Sequence, residues 1–496
     1  MKFVSLLSSL APLLAGGLVS AAAVDSSSVL LTRTNGGTPI SAQQLSAQLA
    51  PVLSHQNIIS FTAPARWSTF NSPDPAITVN VATEQDVAVV VKLCTTYGIP
   101  FLAQNGGNGW ATTFNLGQRG VLINLAGLDS VTFNADKTRA TIGGGSNINN
   151  TIAKAYAAGA LIETGNCNCV GALGAILGGG YGNLMGLYGF GVDNVISVRL
   201  VTADGKIRDV SATSDPDLFW ALRGAGPNLG IVTSAVVKSY PAKTSADLQA
   251  WTGALIFTPD KLEQVVQFAQ DLVLQPDMNF FLYFISSGPP SNSPVVLTTP
   301  FLYKGNATTG QALFAGLYAI GPIVDTTSVL PYNQWNAGGD GFCVRDGDRK
   351  PSYGAGFQKM VPATWRAIWN KYVDFQQLPG AESTVVLLEA YSLIKARSAA
   401  VASTGGSFPH RDVNFNAVAI AWYNDTALDG PAQAFGSAAR DLWRSTDDLA
   451  KNATYVNFAH GDESLDTIYG SSLPKLKSVK QRVDPKNQFN QWFDIK

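Results

Sequence analysis

Apolar and polar positions along the chain switch between two periods, and the switches mark out elements. Ala76-Ile-Thr-Val-Asn-Val81 reads as a strand. Thr83, followed by Glu84 and Asp86, reads as the capped start of a helix. Val87, Val90, Val91 and Cys94 fall at i, i+3, i+4 and i+7 of that helix, which assigns Cys94 to the core. Gly98 ends the helix, and 100–104 is a short strand running into Asn105-Gly-Gly-Asn-Gly109. Strands follow near 120–125, 130–134 and 138–142, and a helix near 147–158 stops at Gly159. Strands near 194–202 and 206–210 flank Asp204-Gly205, a strong hairpin signal. Asp215-Pro-Asp-Leu opens a helix, and a strand near 231–239 closes the region. From about 245 to 450 helices (260–273, 362–376, 430–451) alternate with aromatic-rich strands (280–286, 295–303, 384–392, 413–423). That texture predicts an antiparallel sheet backed by helices.

Composition narrows the class. The chain has 496 residues, 46% of them hydrophobic and 14% charged, enough apolar material for a large core in one to three domains. Net charge is −1, so the basic surplus of a phosphate-coating nucleic-acid binder is missing. His55, His410 and His460 are the only histidines and lie far apart, so no metal site is expected. Lys2, the mostly apolar stretch from Phe3 to Leu18, and Ala21-Ala22-Ala23 form a secretory signal pattern, with mature protein starting near Val24. No later run is long and apolar enough to predict a membrane span. Four N-glycosylation sequons, at Asn149, Asn306, Asn424 and Asn452, agree with a secreted protein. Two disulfides are the simplest reading of four cysteines, although Cys167 and Cys169 stand too close to pair comfortably with each other.

The 48 glycines are concentrated in two informative places. One is Ala103-Gln-Asn-Gly-Gly-Asn-Gly-Trp110. The other runs from Glu163 through Cys167, Cys169, Val170-Gly171, Gly174 and Gly178-Gly-Gly-Tyr-Gly182. Without Cβ atoms, successive backbone N–H groups can converge on an anion such as a diphosphate. No Gly-Lys-Ser/Thr follows either run, so neither is a P-loop. Each run alone also fits tight turns and packing. Together, inside one α/β region, they point to a dinucleotide held by two loops.

The order of these segments resembles the FAD-linked oxidases of the vanillyl-alcohol oxidase superfamily, in particular the berberine-bridge-enzyme-like branch and its secreted fungal members. The resemblance is carried by the Gly-Gly-x-Gly loop at 106–109 and by Gly165-x-Cys167-x-x-Val170-Gly171 leading into Gly178-Gly-Gly-Tyr-Gly182. Tyr188-Gly-x-Gly191-x-Asp193-Asn194, Leu218-Phe-Trp-Ala-Leu-Arg-Gly-Ala-Gly226 with Asn228-x-Gly230, and Tyr455-Val-Asn457-Phe458 with Asp484-Pro485-x-Asn487-x-Phe489-Asn490 continue it. The resemblance implies an α+β fold of two domains, a PCMH-type FAD-binding domain and an antiparallel-sheet substrate domain backed by helices. It implies a signal peptide at 1–23, an FAD domain at 24–242, a substrate domain at 243–450, and a berberine-like segment at 451–496 completing the FAD domain. By the same resemblance FAD is bound by Asn105, Gly106, Gly107, Asn108, Gly109, Cys167, Val170, Gly171, Gly174, Gly178, Gly179, Gly182, Ile231, Asn457 and Asn490. Relatives attach the flavin through a His in the first loop and a Cys in the second. Asn108 stands where that His would be, so the resemblance implies one covalent link, through Cys167, or none. By the resemblance, Val170 matches the position at which the family controls oxygen access.

Flavin oxidation also needs a group that takes a proton from the substrate. Period-2 alternation sets Tyr423 opposite Trp422 and Asn424. A glycosylated Asn424 would point outward and turn Tyr423 inward, which makes Tyr423 the leading acid/base candidate against an ordinary aromatic core role. Glu389 and Trp110 are expected to line the substrate pocket. Phe458 replaces the Tyr that some carbohydrate oxidases of the family use, which argues against a standard sugar oxidase. The expectation is an oxidase that passes electrons from an alcohol, amine or secondary-metabolite intermediate to O2 and releases hydrogen peroxide. A redox-neutral or cyclising flavoenzyme and an oligosaccharide oxidase are the alternatives.

Overall fold

The computed structural model describes residues 30–31, 40–55, 58–114, 116–402 and 405–496. The signal peptide expected at 1–23 lies outside the described residues. The first half builds two small sheets. In one, the strands Ile77–Asn80, Val121–Asn124 and Phe101–Gln104 run parallel, with Ile59–Ser60 antiparallel at the edge. The helix Glu84–Tyr97 packs in this layer, capped at Thr83 by reciprocal bonds with Asp86 and stopped by left-handed Gly98. Its apolar stripe, Val87, Val90, Val91 and Cys94, is wholly buried, and burial pushes the Cys94 thiol up to about 12. The second sheet is antiparallel, in the order Ile207–Ser211, Val195–Val201, Ile231–Lys238, Arg139–Gly143 and Val131–Phe133.

The middle of the chain forms a nine-stranded sheet, with the long strands Pro294–Tyr303, Met278–Ser286, Val385–Tyr391, Phe415–Ile420 and Ser352–Phe357 side by side. Alternation gives the sheet two unlike faces. Leu282, Phe284, Val386, Leu388, Ala417 and Ala419 pack with the helices Leu262–Asp271, Pro362–Gln376 and Asp429–Arg444 in one large core. Phe281, Tyr283, Leu387, Glu389, Asn416 and Val418 belong to the other face, which meets the first half of the chain. The strand expected near 413–423 stops at Ile420, and Tyr423 makes an isolated bridge to Arg349. Among the described residues no helix is long and apolar enough to cross a membrane.

The C-terminal tail returns to the first half. The helix Leu473–Val483 lies against Pro216–Ala225, and the Tyr469 hydroxyl accepts from Asn228 Nδ2 at 3.0 Å. Lys480 is the anchor. Only 3% of it is exposed, and its Nζ donates to Asn228 O (2.8 Å), Asp484 Oδ2 (2.7 Å) and Phe489 O (2.8 Å). A buried ammonium is stable only while these acceptors remain. Asp484→Asn removes the compensating charge, and chemical denaturation should report a loss of about 3–5 kcal/mol.

Candidate active site

The two glycine loops touch. A Cβ on Gly106 would come within 2.8 Å of Cys169 O and Gly171 N, and a Cβ on Gly171 would strike the Asn105 side chain at 2.7 Å. Asn105 Nδ2 also donates to Ser146 O at 2.9 Å, which fixes the first loop to the start of the helix Ile148–Ala158. Gly107 adopts φ +65°, a conformation that favours glycine. With its amide oriented to satisfy both ends, Asn108 donates to Cys169 O at 3.1 Å and Gly106 O at 2.9 Å. The first loop and the stretch Cys169–Gly171 therefore pack directly against each other.

A segment from the second half of the chain packs onto these loops. Cys343 forms a disulfide with Cys169, so the loop 165–171 is bonded to a residue 174 positions away. Around this bond Asn168 Nδ2 donates to Asp340 Oδ1 (2.6 Å), Trp67 Nε1 to Phe342 O (2.6 Å), and Arg345 Nη2 to Gly106 O (2.5 Å). The expectation of two disulfides is corrected to one, because Cys94 is locked inside the core and Cys167 stays a free thiol. Cys167 Sγ lies 3.6 Å from Cys169 Sγ and 3.9 Å from Cys343 Sγ. Burial, opposed by the Cys169 N–H and reinforced by Asp340 and Glu389, pushes its thiol up to about 11.

Facing Cys167 across the junction is a polar set on the open face of the large sheet. Asn166 Nδ2 donates to the Tyr391 hydroxyl at 2.5 Å, and Tyr391 donates to Glu389 Oε2 at 3.1 Å. Glu389 pairs in register with Phe281 on one side and Asn416 on the other. Asn416 in turn reaches the Tyr181 phenol. Burial pushes the Glu389 carboxyl up to about 7, with the Tyr391 bond acting the other way. The same burial, with the carboxylate beside it, holds the Tyr391 phenol far above its usual range. Trp110 continues this wall. Its ring centroid is 6.0 Å from Phe458 and 5.5 Å from Trp67, and its indole Nε1–H has no partner.

Tyr423 is not part of this set. The alternation argument correctly opposes it to Trp422, but the side chain that turns toward the site is Trp422, which packs with Trp67, Val418 and Ile420. Tyr423 points into the helix layer instead. It is fully buried, packs at 6.1 Å from Phe375, and donates to Asp429 Oδ1 at 2.7 Å beside Arg349. It serves as a core aromatic with a satisfied hydroxyl. Of the other glycines, Gly178 is closed in by the Asn457 side chain, Gly179 by Phe408 and Tyr455, and Gly182 by Thr164 O and Glu163. A Cβ on Gly174 would meet nothing within 4 Å, because Gly174 is an exposed position of the helix Ala172–Leu177. Asn457 Nδ2 donates to Ala175 O (3.2 Å) and Tyr455 Oη (2.7 Å), close behind that helix. Val170 is half-buried and its carbonyl accepts from Ile148 N at 2.9 Å. Ile231 is a buried strand residue paired with Val201, and Asn490 donates to Asn487 O in the terminal turn.

Comparison with known proteins agrees with this geometry. Residues 75–211 match the model of an FAD binding domain, and 454–492 match "Berberine and berberine like". FAD-linked oxidoreductase OXR1 of Pyricularia oryzae is 31% identical over 467 residues, covering 91% of this chain and 90% of that protein. Two solved structures share the fold. The 6-hydroxy-D-nicotine oxidase of Arthrobacter nicotinovorans has a TM-score of 0.74 at 21% identity, covering 89% of this chain and 98% of its own. The glucooligosaccharide oxidase of Acremonium strictum, with 6-S-cysteinyl, 8α-N1-histidyl FAD, has a TM-score of 0.72 at 18% identity, covering 91% of this chain and 99% of its own. The chain belongs to the FAD-linked oxidoreductases of the berberine-like family, built on the two-domain PCMH-type α+β fold. It is an FAD-binding oxidoreductase.

The residues present fit that cofactor. The contacting loops carry two guanidiniums, those of Arg66 and Arg345, at the first glycine run. Arg66 donates to the Gln104 side chain and to Gly109 O (2.6 Å), Arg345 to Gly106 O, and neither has a carboxylate partner within ion-pair distance among the described residues.

Glu163, two residues before Gly165, was not singled out from the sequence. It is 1% exposed, its Oε2 accepts from Leu184 N at 3.0 Å, and its Oε1 has no partner. Burial holds it well above the usual carboxyl range. An acid with a raised folded-state value is stabilising while protonated in both states. As pH climbs past about 4.5 the unfolded chain releases that proton and the fold loses stability. Glu163→Gln should therefore raise the melting temperature at pH 8 more than at pH 4.5, read by calorimetry.

Proposed function

We propose that the protein is an FAD-dependent oxidase acting on a small molecule with an O–H or N–H beside the carbon that is oxidised. The observation that carries the reading is the Glu389–Tyr391–Asn166 chain of hydrogen bonds, set 3.1 and 2.5 Å apart on the sheet face that meets the glycine loops beside Cys167. Bound FAD supplies the two-electron acceptor and the means to pass electrons to O2 with release of hydrogen peroxide. The chain's own groups do the rest. Glu389, with its proton affinity raised to near neutrality, is suited to take the substrate proton. Tyr391 orients the carboxylate and shares its charge, and Asn166 holds the Tyr391 hydroxyl from the opposite side. Trp110, Phe458 and Tyr283 supply apolar walls that exclude water.

A single covalent flavin link through Cys167 belongs to this reading. Cys169 is occupied by Cys343, and Asn108 has no nucleophilic nitrogen, so Cys167 is the one free thiol at the loops. The substrate class best supported is a secondary-metabolite alcohol or amine. The relatives named for nicotine and oligosaccharide oxidation mark the range of the fold, and Phe458 disfavours the sugar reading. The leader at 1–23 supports secretion, and the sequons Asn149, Asn306, Asn424 and Asn452 are all exposed, as N-glycan carriers would be.

Glu389→Gln should lower kcat/KM by about 10²–10⁴-fold and abolish the rise of wild-type activity through about pH 7. Tyr391→Phe should retain that limb with a smaller loss. Peroxide formed in proportion to substrate consumed supports an oxidase; turnover without peroxide favours the redox-neutral alternative. After acid precipitation, flavin absorbance should stay with the wild-type pellet and move to the supernatant in Cys167→Ala.

A further inference from the structure

We propose that Arg345 and Arg66 form a cationic clamp on the first glycine loop that neutralises the negative charge of bound FAD. The inference rests on the FAD reading above and concerns residues from both halves of the chain. Arg66 enters from the segment before the parallel sheet. Its guanidinium lies 5.3 Å from the Phe114 ring centre and donates to the Gln104 side chain and to Gly109 O. Arg345 enters from the substrate half, two residues after the disulfide at Cys343, and donates to Gly106 O. The two cations thus grip opposite ends of Gly106–Gly109, around Asn108.

Their partners are the unusual feature. Most arginines held in the fold meet a carboxylate, Arg199 Glu84, Arg349 Asp429, Arg411 Asp193 and Arg440 Asp462, while the buried Arg223 donates to Phe219 O and packs over its ring. Arg66 and Arg345 meet neutral oxygens alone. Arg66 is also held down to about 10 by burial and by the Arg345 charge, so the pair repels itself. Holding two like charges together over a glycine loop is unfavourable unless an anion enters between them. FAD brings two candidates, its diphosphate and the negative charge that its ring gains on reduction. Both would be stabilised by charge-assisted contacts to guanidinium groups. The disulfide then has a purpose beyond stability, because it sets Arg345 at the loop.

Arg345 is exposed, so Arg345→Gln should fold normally; Arg66→Gln is the second variant. Two measurements separate the anions. The first is the midpoint potential of the flavin in purified holoenzyme. The second is the Kd for ADP, which carries the diphosphate without the ring, on Cys167→Ser protein stripped of flavin. If the clamp serves the reduced ring, either variant makes flavin reduction about tenfold less favourable, a fall of about 30 mV for a two-electron couple, and Arg345→Lys restores it. If it serves the diphosphate, the ADP Kd rises about tenfold and loses part of its salt dependence, with the potential unmoved. Potential and ADP Kd both within twofold of the parent in both variants would overturn the proposal while leaving the FAD reading intact. A parent protein that binds neither FAD nor ADP would overturn the FAD reading itself, and the clamp with it.

Discussion

The contact on which the site depends is the Cys169–Cys343 bond. It fastens a loop of the flavin-binding half to a segment 174 residues on, at the junction between the first half of the chain and the large sheet. In the chain-entropy account a closure of that length removes roughly 5 kcal/mol of freedom from the unfolded chain. Its local effect matters more. With the bond in place Asn168 reaches Asp340, Trp67 reaches Phe342 and Arg345 reaches Gly106, so three hydrogen bonds across the junction share one anchor. The bond also occupies two of the three sulfurs at the loops and leaves Cys167 free.

The large sheet supplies the other side of the site because its two faces solve different problems. One face buries aromatic and aliphatic side chains under three helices and needs no polar group. The other meets the glycine loops and carries Glu389, Tyr391, Asn416 and Tyr283 among apolar rings. A carboxyl in such a setting is desolvated, so its proton affinity rises toward neutrality, where proton transfer is most useful. Register does the placing, since Phe281, Glu389 and Asn416 are cross-strand neighbours held by the ladder.

Much of this was legible in the sequence. The helix Glu84–Tyr97 announced both its caps and its buried stripe, and the hairpin at Asp204-Gly205 its turn, because local hydrogen bonds and backbone conformation decide those features. The glycine loops were legible as a pair because several residues without side chains have few other uses in such order. Tyr423 was misplaced because alternation tells which residues share a face and is silent on which face meets the partner layer. The same alternation, applied to Val385–Tyr391, sets Tyr391 beside Glu389 and was the available signal for the pair. The disulfide and the Arg345–Gly106 contact join residues more than 170 positions apart, and no local pattern encodes such meetings.

A Glu389 carboxyl that titrates beside the flavin would change the absorbance of the ring. The direct measurement is the flavin absorbance of the purified holoenzyme followed from about pH 5 to about pH 9, in wild type and in Glu389→Gln. A spectral change centred near pH 7 is expected in wild type and none in the variant. The same change in both proteins, or no change in either, would contradict it.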